Sequence, residues 1–324
     1  MQRRHVLAAS AATALPLALP GLARAQQANW PSRPLRMIIP WPPGGTTDIL
    51  ARVIAPALSE RLGQPVVVEN KSGASGAIGT IEMLRTPPDG HTFSIVTSTL
   101  VSAALITRQP YHPVNDVTPI LHLANVANIL AVHPGLPVHS VPELIAHARA
   151  NPGRLSFGSP GIGSAVHISG EMFKLMTGTD MVHVPYRGGG PALTDLVGGQ
   201  IQLMFGNGSS TLPFVRNNQV RALGVTSARR QSYLPDVPAI GEFVPGFDVV
   251  EWYAVVGPAG IPAPVAEGLA QAIMQVVGTP EARARILDMG SEITGGTPAE
   301  FAAFLREDLA KIDRLVKTAR ITAG

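Results

Sequence analysis

Cysteine is absent from the 324 residues. That excludes a disulfide framework, a thiolate metal site, a cysteine nucleophile and an N-terminus anchored through a lipidated cysteine. Charge and aromatics are sparse, at 15% and 5% of the residues. No block of like charge stands out either. Of the 25 basic residues, Arg3, Arg4 and Arg24 lie in the first 25 positions, which hold no acidic residue; the remainder balance the 22 acidic residues. A balanced chain offers no electrostatic footprint for nucleic acid or an anionic membrane. Beyond Ala25 no stretch approaches the roughly 20 apolar residues that span a bilayer. The whole chain is 45% hydrophobic, as expected of well-buried α/β sheets. A chain of roughly 300 residues exceeds one ordinary core, so two domains are expected.

The leader stands apart from the rest. A basic start at Arg3 and Arg4, an apolar stretch from Val6 to Leu22 and the small-x-small run Ala23-Arg24-Ala25 follow the order of a cleavable secretory signal over residues 1–25. Its rival, a membrane anchor, is opposed by the short length and by Pro16 and Pro20. Arg3-Arg4-His5-Val6-Leu7 also resembles a degenerate twin-arginine signal, so export by either the Sec or the twin-arginine route stays open. The expected product is freely soluble outside the cytoplasm.

After the leader, strand and helix patterns alternate. Leu35 to Ile39 reads as a buried strand, and a helix opens near Thr46 or Thr47, either of which suits a cap. Asp48 sits in its first turn, Pro56 predicts a kink, and Gly63 ends it. Strands are expected at Val66–Val68, Phe93–Val96, Ile129–Val132, Leu155–Phe157, Val182–Tyr186 and Ile201–Phe205. Helices are expected over Ser75–Leu84, after the capping box Ser140-Val141-Pro142-Glu143, and from Ser164 to about Met176. The last helix carries the clearest signal. Thr297-Pro298-Ala299-Glu300 is a capping box with proline in the first turn, and Phe301, Phe304, Leu305, Ile312, Leu315 and Val316 form one apolar face. Repeated β-α units imply mostly parallel sheets covered by helices.

Four strand-to-helix turns are rich in Gly, Ser and Thr: Pro43-Gly44-Gly45-Thr46-Thr47, Thr97-Ser98-Thr99, Ser159 through Ser164, and Arg187-Gly188-Gly189-Gly190. The first N–H groups of a helix lack internal partners and sit at the positive end of its dipole. Glycine lets an anion approach those amides, and hydroxyls supplement them. A tight turn alone accounts for any one of these segments; four together point to an anion site at the strands' carboxyl ends.

Enzyme motifs fail by contrast. Gly161-Ile162-Gly163-Ser164-Ala165-Val166 lacks the third glycine of a dinucleotide fingerprint, and no phosphate-binding loop, nucleophile elbow or zinc-protease motif occurs. His167 and Glu171 have i, i+4 spacing, which is more often packing and solvation than a metal site. His183, between Val182 and Val184, reads as a strand residue rather than a catalytic base. Nothing in the spacing of Ser164, His167 and Asp195 supports a triad. No cofactor, metal or catalytic residue is expected.

Five segments carry a family resemblance. Ile39-Pro40-Trp41-Pro42-Pro43-Gly44-Gly45-Thr46-Thr47-Asp48, Val67 to Gly76, Pro88-Asp89-Gly90-His91-Thr92, Tyr186 to Asp195 and Leu234-Pro235-Asp236-Val237-Pro238 resemble, in order, the receptors of tripartite tricarboxylate transporters, also called Bug receptors. The resemblance implies a two-lobed periplasmic-binding-protein (Venus flytrap) α/β fold, with residues 30–128 plus 229–324 as one lobe and 129–228 as the other. It implies a periplasmic, non-enzymatic receptor, expected to be monomeric, that holds a small carboxylate in the cleft and passes it to the membrane subunits of a carrier. A receptor that presents its ligand to a sensor kinase, or a periplasmic hydrolase, is the alternative. Carried over by position, the contacts are Trp41, Pro43, Gly44, Gly45, Thr46, Thr47, Thr97 and Ser98 from one lobe. From the other come Ser159, Gly161, Gly163, Ser164, His167, Tyr186, Arg187 and Gly188. Two residues depart from the family pattern. Trp41 stands in place of a smaller aromatic and suits either an aromatic ligand or lobe packing. Arg187 stands where lysine is common and suits either a bidentate carboxylate contact or a solvated rim.

Overall fold

A computed structural model describes residues 30–318 and 321; the leader read at positions 1–25 lies outside the described residues. The chain runs β1 (Leu35–Ile39), α1 (Thr46–Leu62), β2 (Val66–Asn70), a 3-10 turn (Ala74–Gly76), α2 (Ala77–Leu84), β3 (Thr92–Thr97), α3 (Thr99–Ile106) and β4 (Val117–Val132). It continues through α4 (Val141–Ala150), β5 (Ser156–Ser159), α5 (Ala165–Thr177), β6 (Val182–Pro185), α6 (Gly189–Val197), β7 (Leu203–Asn207), α7 (Gly208–Arg216) and β8 (Arg221–Val225). A 3-10 turn at Ile240–Glu242 precedes β9 (Val250–Pro258), α8 (Ala263–Val277), α9 (Pro280–Asp288), β10 (Ser291–Ile293) and α10 (Pro298–Thr318).

The expected parallel strands are present in two groups. β1 lies between β2 and β3, and β5 between β6 and β7, all parallel. Antiparallel strands complete each group and join them. β9 pairs with β3 and with the first part of β4, and β10 also pairs there. From Asn128 to Val132 the same β4 strand instead pairs with β7 and β8. β4 therefore belongs to both sheets and changes partners between Ala127 and Asn128. Beside that point Asn128 N–H donates to Thr226 Oγ1 at 2.9 Å, and Val249 N–H donates to the Thr226 carbonyl at 2.9 Å.

Each sheet has its own core. Ile38, Val96, Trp252, Phe301 and Leu305 centre one. Phe157, Phe173, Phe205 and Leu130 centre the other, and Ile240, Val244, Phe247 and Val249 pack into that second core. The apolar face of α10 serves both: Phe301, Phe304, Leu305 and Ile312 pack against the first core, Leu315 and Val316 against the second. Its capping box forms as expected, with Glu300 N–H donating to Thr297 Oγ1 at 3.2 Å and Thr297 N–H donating to Glu300 Oε2 at 2.7 Å.

Two details differ from the sequence reading. β4 begins at Val117, twelve residues before the strand expected at Ile129, because Pro119 and register shifts near His122 break the alternation. Neither threonine caps α1. Gly45 is the N-cap without a side-chain bond, since the Thr46 hydroxyl turns away to Asn207 Oδ1 at 3.2 Å and to the Ser209 hydroxyl. As expected, α1 contains Pro56 within one helix and ends at Gly63 at φ +66°.

Candidate functional site

The four Gly/Ser/Thr turns meet at one cavity of about 380 Å³. Trp41 to Thr47 come from the β1–α1 turn and Thr97 from the end of β3. Pro160 and Ser164 come from the β5–α5 turn, and Arg187 to Gly190 from the β6–α6 turn. Both sheets thus contribute, because parallel strands deliver their carboxyl-end turns to one edge.

Local chemistry holds each turn. Asp48, 3% exposed, accepts hydrogen bonds from Gly44 N–H at 3.0 Å, Arg52 Nε at 2.9 Å and Asn70 Nδ2 at 3.0 Å. Burial alone would raise its carboxyl, but these donors outweigh burial and hold it below the usual carboxylate range. Asn70 also donates to the Trp41 carbonyl at 3.1 Å. Trp41 lines the cavity, while its indole Nε1 is buried without a hydrogen-bond partner.

On the second sheet the Ser164 hydroxyl accepts from His167 N–H at 3.2 Å, capping α5, and donates to the Gly161 carbonyl at 2.7 Å. Gly163 adopts φ +81°, and a Cβ there would lie 3.3 Å from Ala103 Cα. Glycine is required by both the dihedral and the approach of α3. Across that approach Ser102 Oγ donates to the Gly163 carbonyl, and Ser75 Oγ donates to the Ile162 carbonyl at 3.1 Å.

Ten of the residues named from sequence line this cavity: Trp41, Pro43, Gly44, Gly45, Thr46, Thr47, Thr97, Ser164, Arg187 and Gly188. The other six stand behind it or elsewhere. Ser159 is fully buried, and its hydroxyl lies 2.7 Å from His183 Nε2. Gly161 abuts Ser75 Oγ, and Gly163 abuts α3. The Tyr186 hydroxyl donates to Asp195 Oδ2 at 2.7 Å. His167 accepts Gly163 N–H on Nδ1 at 3.1 Å and stacks on His183. Burial, followed by the His183 and Lys174 charges, lowers His167 to about 3. Ser98 lines a separate, larger cavity of about 560 Å³ beneath α10, with Trp252, Phe304 and Asp308. Of the sixteen site residues named from sequence only Ser98 lines that cavity, so the smaller one is the candidate site.

The imagined triad does not assemble. The Ser164 hydroxyl contacts the His167 main chain, the His167 ring serves Gly163, and Asp195 holds Tyr186. Glu171 pairs with Lys174 at 3.0 Å, and among the described residues no group of three or more His, Asp or Glu side chains is arranged for a metal.

Four lining residues were not singled out in sequence: Asn207, Ser210, Glu251 and Tyr253. Asn207 caps α7 through Ser209 N–H at 3.2 Å, and its Nδ2 donates to Glu251 Oε2 at 2.6 Å and to Tyr253 Oη at 2.8 Å. The run Asn207-Gly208-Ser209-Ser210 is a fifth turn of the same composition, which was the available signal. A lone acid in the apolar run Val249-Val250-Glu251-Trp252-Tyr253 marked Glu251.

Comparison with known proteins identifies the family and the fold. The model of the tripartite tricarboxylate transporter family receptor matches residues 50–321. The chain is 38% identical to Protein BugT of Bordetella pertussis over 249 residues, covering 75% of this chain and 76% of that one. Among solved structures, R. palustris Rpa4515 with adipate has a TM-score of 0.85 at 37% identity, covering 90% of this chain and 99% of that one. MatC from Rhodopseudomonas palustris with bound malate has a TM-score of 0.82 at 28% identity, covering 89% and 99%. The chain belongs to the tripartite tricarboxylate transporter receptor family of periplasmic solute-binding proteins.

Proposed function

We propose that this receptor captures a small carboxylate in the 380 Å³ cavity and delivers it unchanged to the membrane subunits of a tripartite carrier. The observation that carries the reading is the convergence of four Gly/Ser/Thr turns, from two sheets, on one cavity that also holds Arg187. Main-chain amides at helix starts and an arginine fork are suited to a carboxylate. Two related solved structures, at 37% and 28% identity, are named with adipate and with malate, both carboxylates.

In this reading the lobes are residues 30–128 with 229–324, and residues 129–228, with the return segment as far as Val249 riding on the second core. The chain flexes where β4 changes partners, beside Thr226 and Val249. Thr46 to Asn207, Ser75 to Ile162 and Ser102 to Gly163 join the two halves when the cleft is shut. A ligand touching both sides adds contacts to the shut state and shifts the population toward it. The leader would carry the protein to the periplasm and be removed there.

A thermal-shift screen of mono-, di- and tricarboxylates tests the capture step, since a ligand bound by the native state alone raises the melting temperature. At least one acid is expected to raise it and to be recovered chemically intact. Shifts with sugars or cationic amines but no carboxylate would overturn the reading.

A further inference from the structure

Among the residues lining the cavity the ionisable ones are Arg187, Glu251 and Tyr253. Glu251 is the second residue of β9, and its register partner on β4 is Val126, with Ala127 beside it, neither of which brings a charge. Asn207 Nδ2 reaches Glu251 Oε2 at 2.6 Å, and Tyr253 supplies a further hydrogen bond. A carboxylate has about four acceptor positions. Two neutral donors leave half of them open, and Glu251 is half-buried and lines the cavity.

A cavity built for carboxylates thus contains an acid with unused acceptor capacity. An ionised Glu251 repels a second ligand carboxylate and attracts a donor. We propose that Glu251 is a specificity-determining residue, selecting carboxylic acids that bring a hydrogen-bond donor, above all an ammonium group, to the part of the cavity walled by β9 and the start of α7. The proposal rests on carboxylate capture as the function of the same cavity.

The environment supports the assignment. Burial raises the Glu251 carboxyl to about 7 against the opposing pull of Asn207 and Tyr253, so its charge responds to a ligand near neutral pH. Burial, and then the Glu251 carboxyl, push the Tyr253 phenol far up, so Tyr253 stays a neutral donor. The cluster is also tied to closure, because Asn207 Oδ1 accepts from Thr46 Oγ1 across the cleft.

The test is calorimetry on the secreted, full-length receptor with two ladders of probes. One is butanoate, 4-hydroxybutanoate, 4-aminobutanoate and succinate; the other is the six-carbon series ending in adipate. The wild type at pH 7.5 is expected to favour the ammonium acid of at least one ladder over the methyl and carboxylate members by about tenfold, the scale of one charge-assisted hydrogen bond. Glu251→Gln should erase that preference and strengthen diacid binding. Should the variant not fold, wild-type titrations from pH 6 to 8 still decide: ammonium-acid affinity should rise with pH and diacid affinity fall. Equal shifts for all members in Glu251→Gln, or parallel pH profiles, would overturn the assignment while leaving carboxylate capture intact. If the wild type binds no carboxylate in the wider thermal-shift screen, the capture reading falls first and the assignment with it.

Discussion

The rings of His167 and His183 stack with centroids 4.0 Å apart and an interplanar angle of 25° behind the β5–α5 turn. His167 Nδ1 accepts the Gly163 N–H at 3.1 Å, and His183 Nε2 lies 2.7 Å from the Ser159 hydroxyl, which in turn takes the Gly161 N–H at 3.2 Å. The pair therefore fixes both glycines of the turn. Two stacked imidazolium ions would repel, and a protonated His167 Nδ1 would lose its acceptor. Both rings must be neutral for the turn to hold this geometry.

Acid stability follows from that requirement. Burial, then neighbouring positive charge, lowers His167 to about 3 and His183 to about 4. Unfolded histidine titrates near 6.5. Above that value neither state takes a proton and stability is level; below it the unfolded chain binds protons that the fold refuses. Stability should fall as pH drops from about 6.5 toward 4, by at most about 1.4 kcal/mol per pH unit for each ring. Thermal melts from pH 7.5 to 4.5 check this. His183→Phe, which keeps a stacking ring but cannot titrate, should show a shallower acid slope than the wild type. Identical slopes would remove the pair from the explanation.

Glu251 gives the opposite pH trend. Its carboxyl is raised from 4.5 to about 7, so between those values the unfolded chain loses a proton that the fold retains. Ionisation then disfavours folding as pH rises through that window, and the cost is fully present above about pH 7. Glu251→Gln should therefore melt higher than the wild type at pH 8, with the gap narrowing at pH 5. A constant gap across that range would mean that Glu251 is not held neutral by its surroundings.

Closure should need hydroxyls from both halves. Thr46→Ala removes the bond to Asn207, and Ser164→Ala removes the cap of α5. Each is expected to weaken carboxylate binding by roughly two- to tenfold, the range of one neutral hydrogen bond. Ser164→Ala should also lower stability by about 1 kcal/mol as a lost N-cap. Lys317→Ala, changing an exposed i, i+4 pair with Asp313, should leave affinity unaltered. Small-angle scattering should show a smaller radius of gyration with ligand. Sensitivity confined to one half, with an unchanged radius, would place the site within a single lobe.

Gly79 sets packing against helix propensity. Alanine in a helix interior is favoured over glycine by about 1 kcal/mol. A Cβ at Gly79, however, would lie 2.7 Å from the Lys71 carbonyl oxygen and 2.8 Å from Pro40 Cα, both main-chain atoms. Backbone cannot rotate aside, so Gly79→Ala should destabilise by about 1–3 kcal/mol and shift the fluorescence of Trp41, the residue after Pro40. A stabilised variant would show that α2 can slide away from the turn.

Local order was readable from sequence wherever the signal is itself local. The N-cap at Ser140, the capping box at Thr297, the αL glycine at Gly63 and the apolar face of α10 all depend on residues a few positions apart. The same holds for the four turns, since a helix start offers its amides regardless of what lies across from it. Ten of the sixteen candidate residues line the cavity for that reason. What tertiary structure decided is which groups face it. Ser159, His167 and Tyr186 share the composition of the turns, but His183, Gly163 and Asp195 occupy their polar atoms from behind. Asn207, Glu251 and Tyr253 enter from segments more than 150 residues beyond the first turn. They do so because β4 belongs to both sheets, pairing with β7 at Asn207 and with β9 at Glu251. Sequence by itself determined the helix starts and the composition of the turns, through contacts within one turn of the chain. The ladder partners of β4 and β9, set by hydrogen bonds between distant strands, decided that an acid stands among groups suited to binding one.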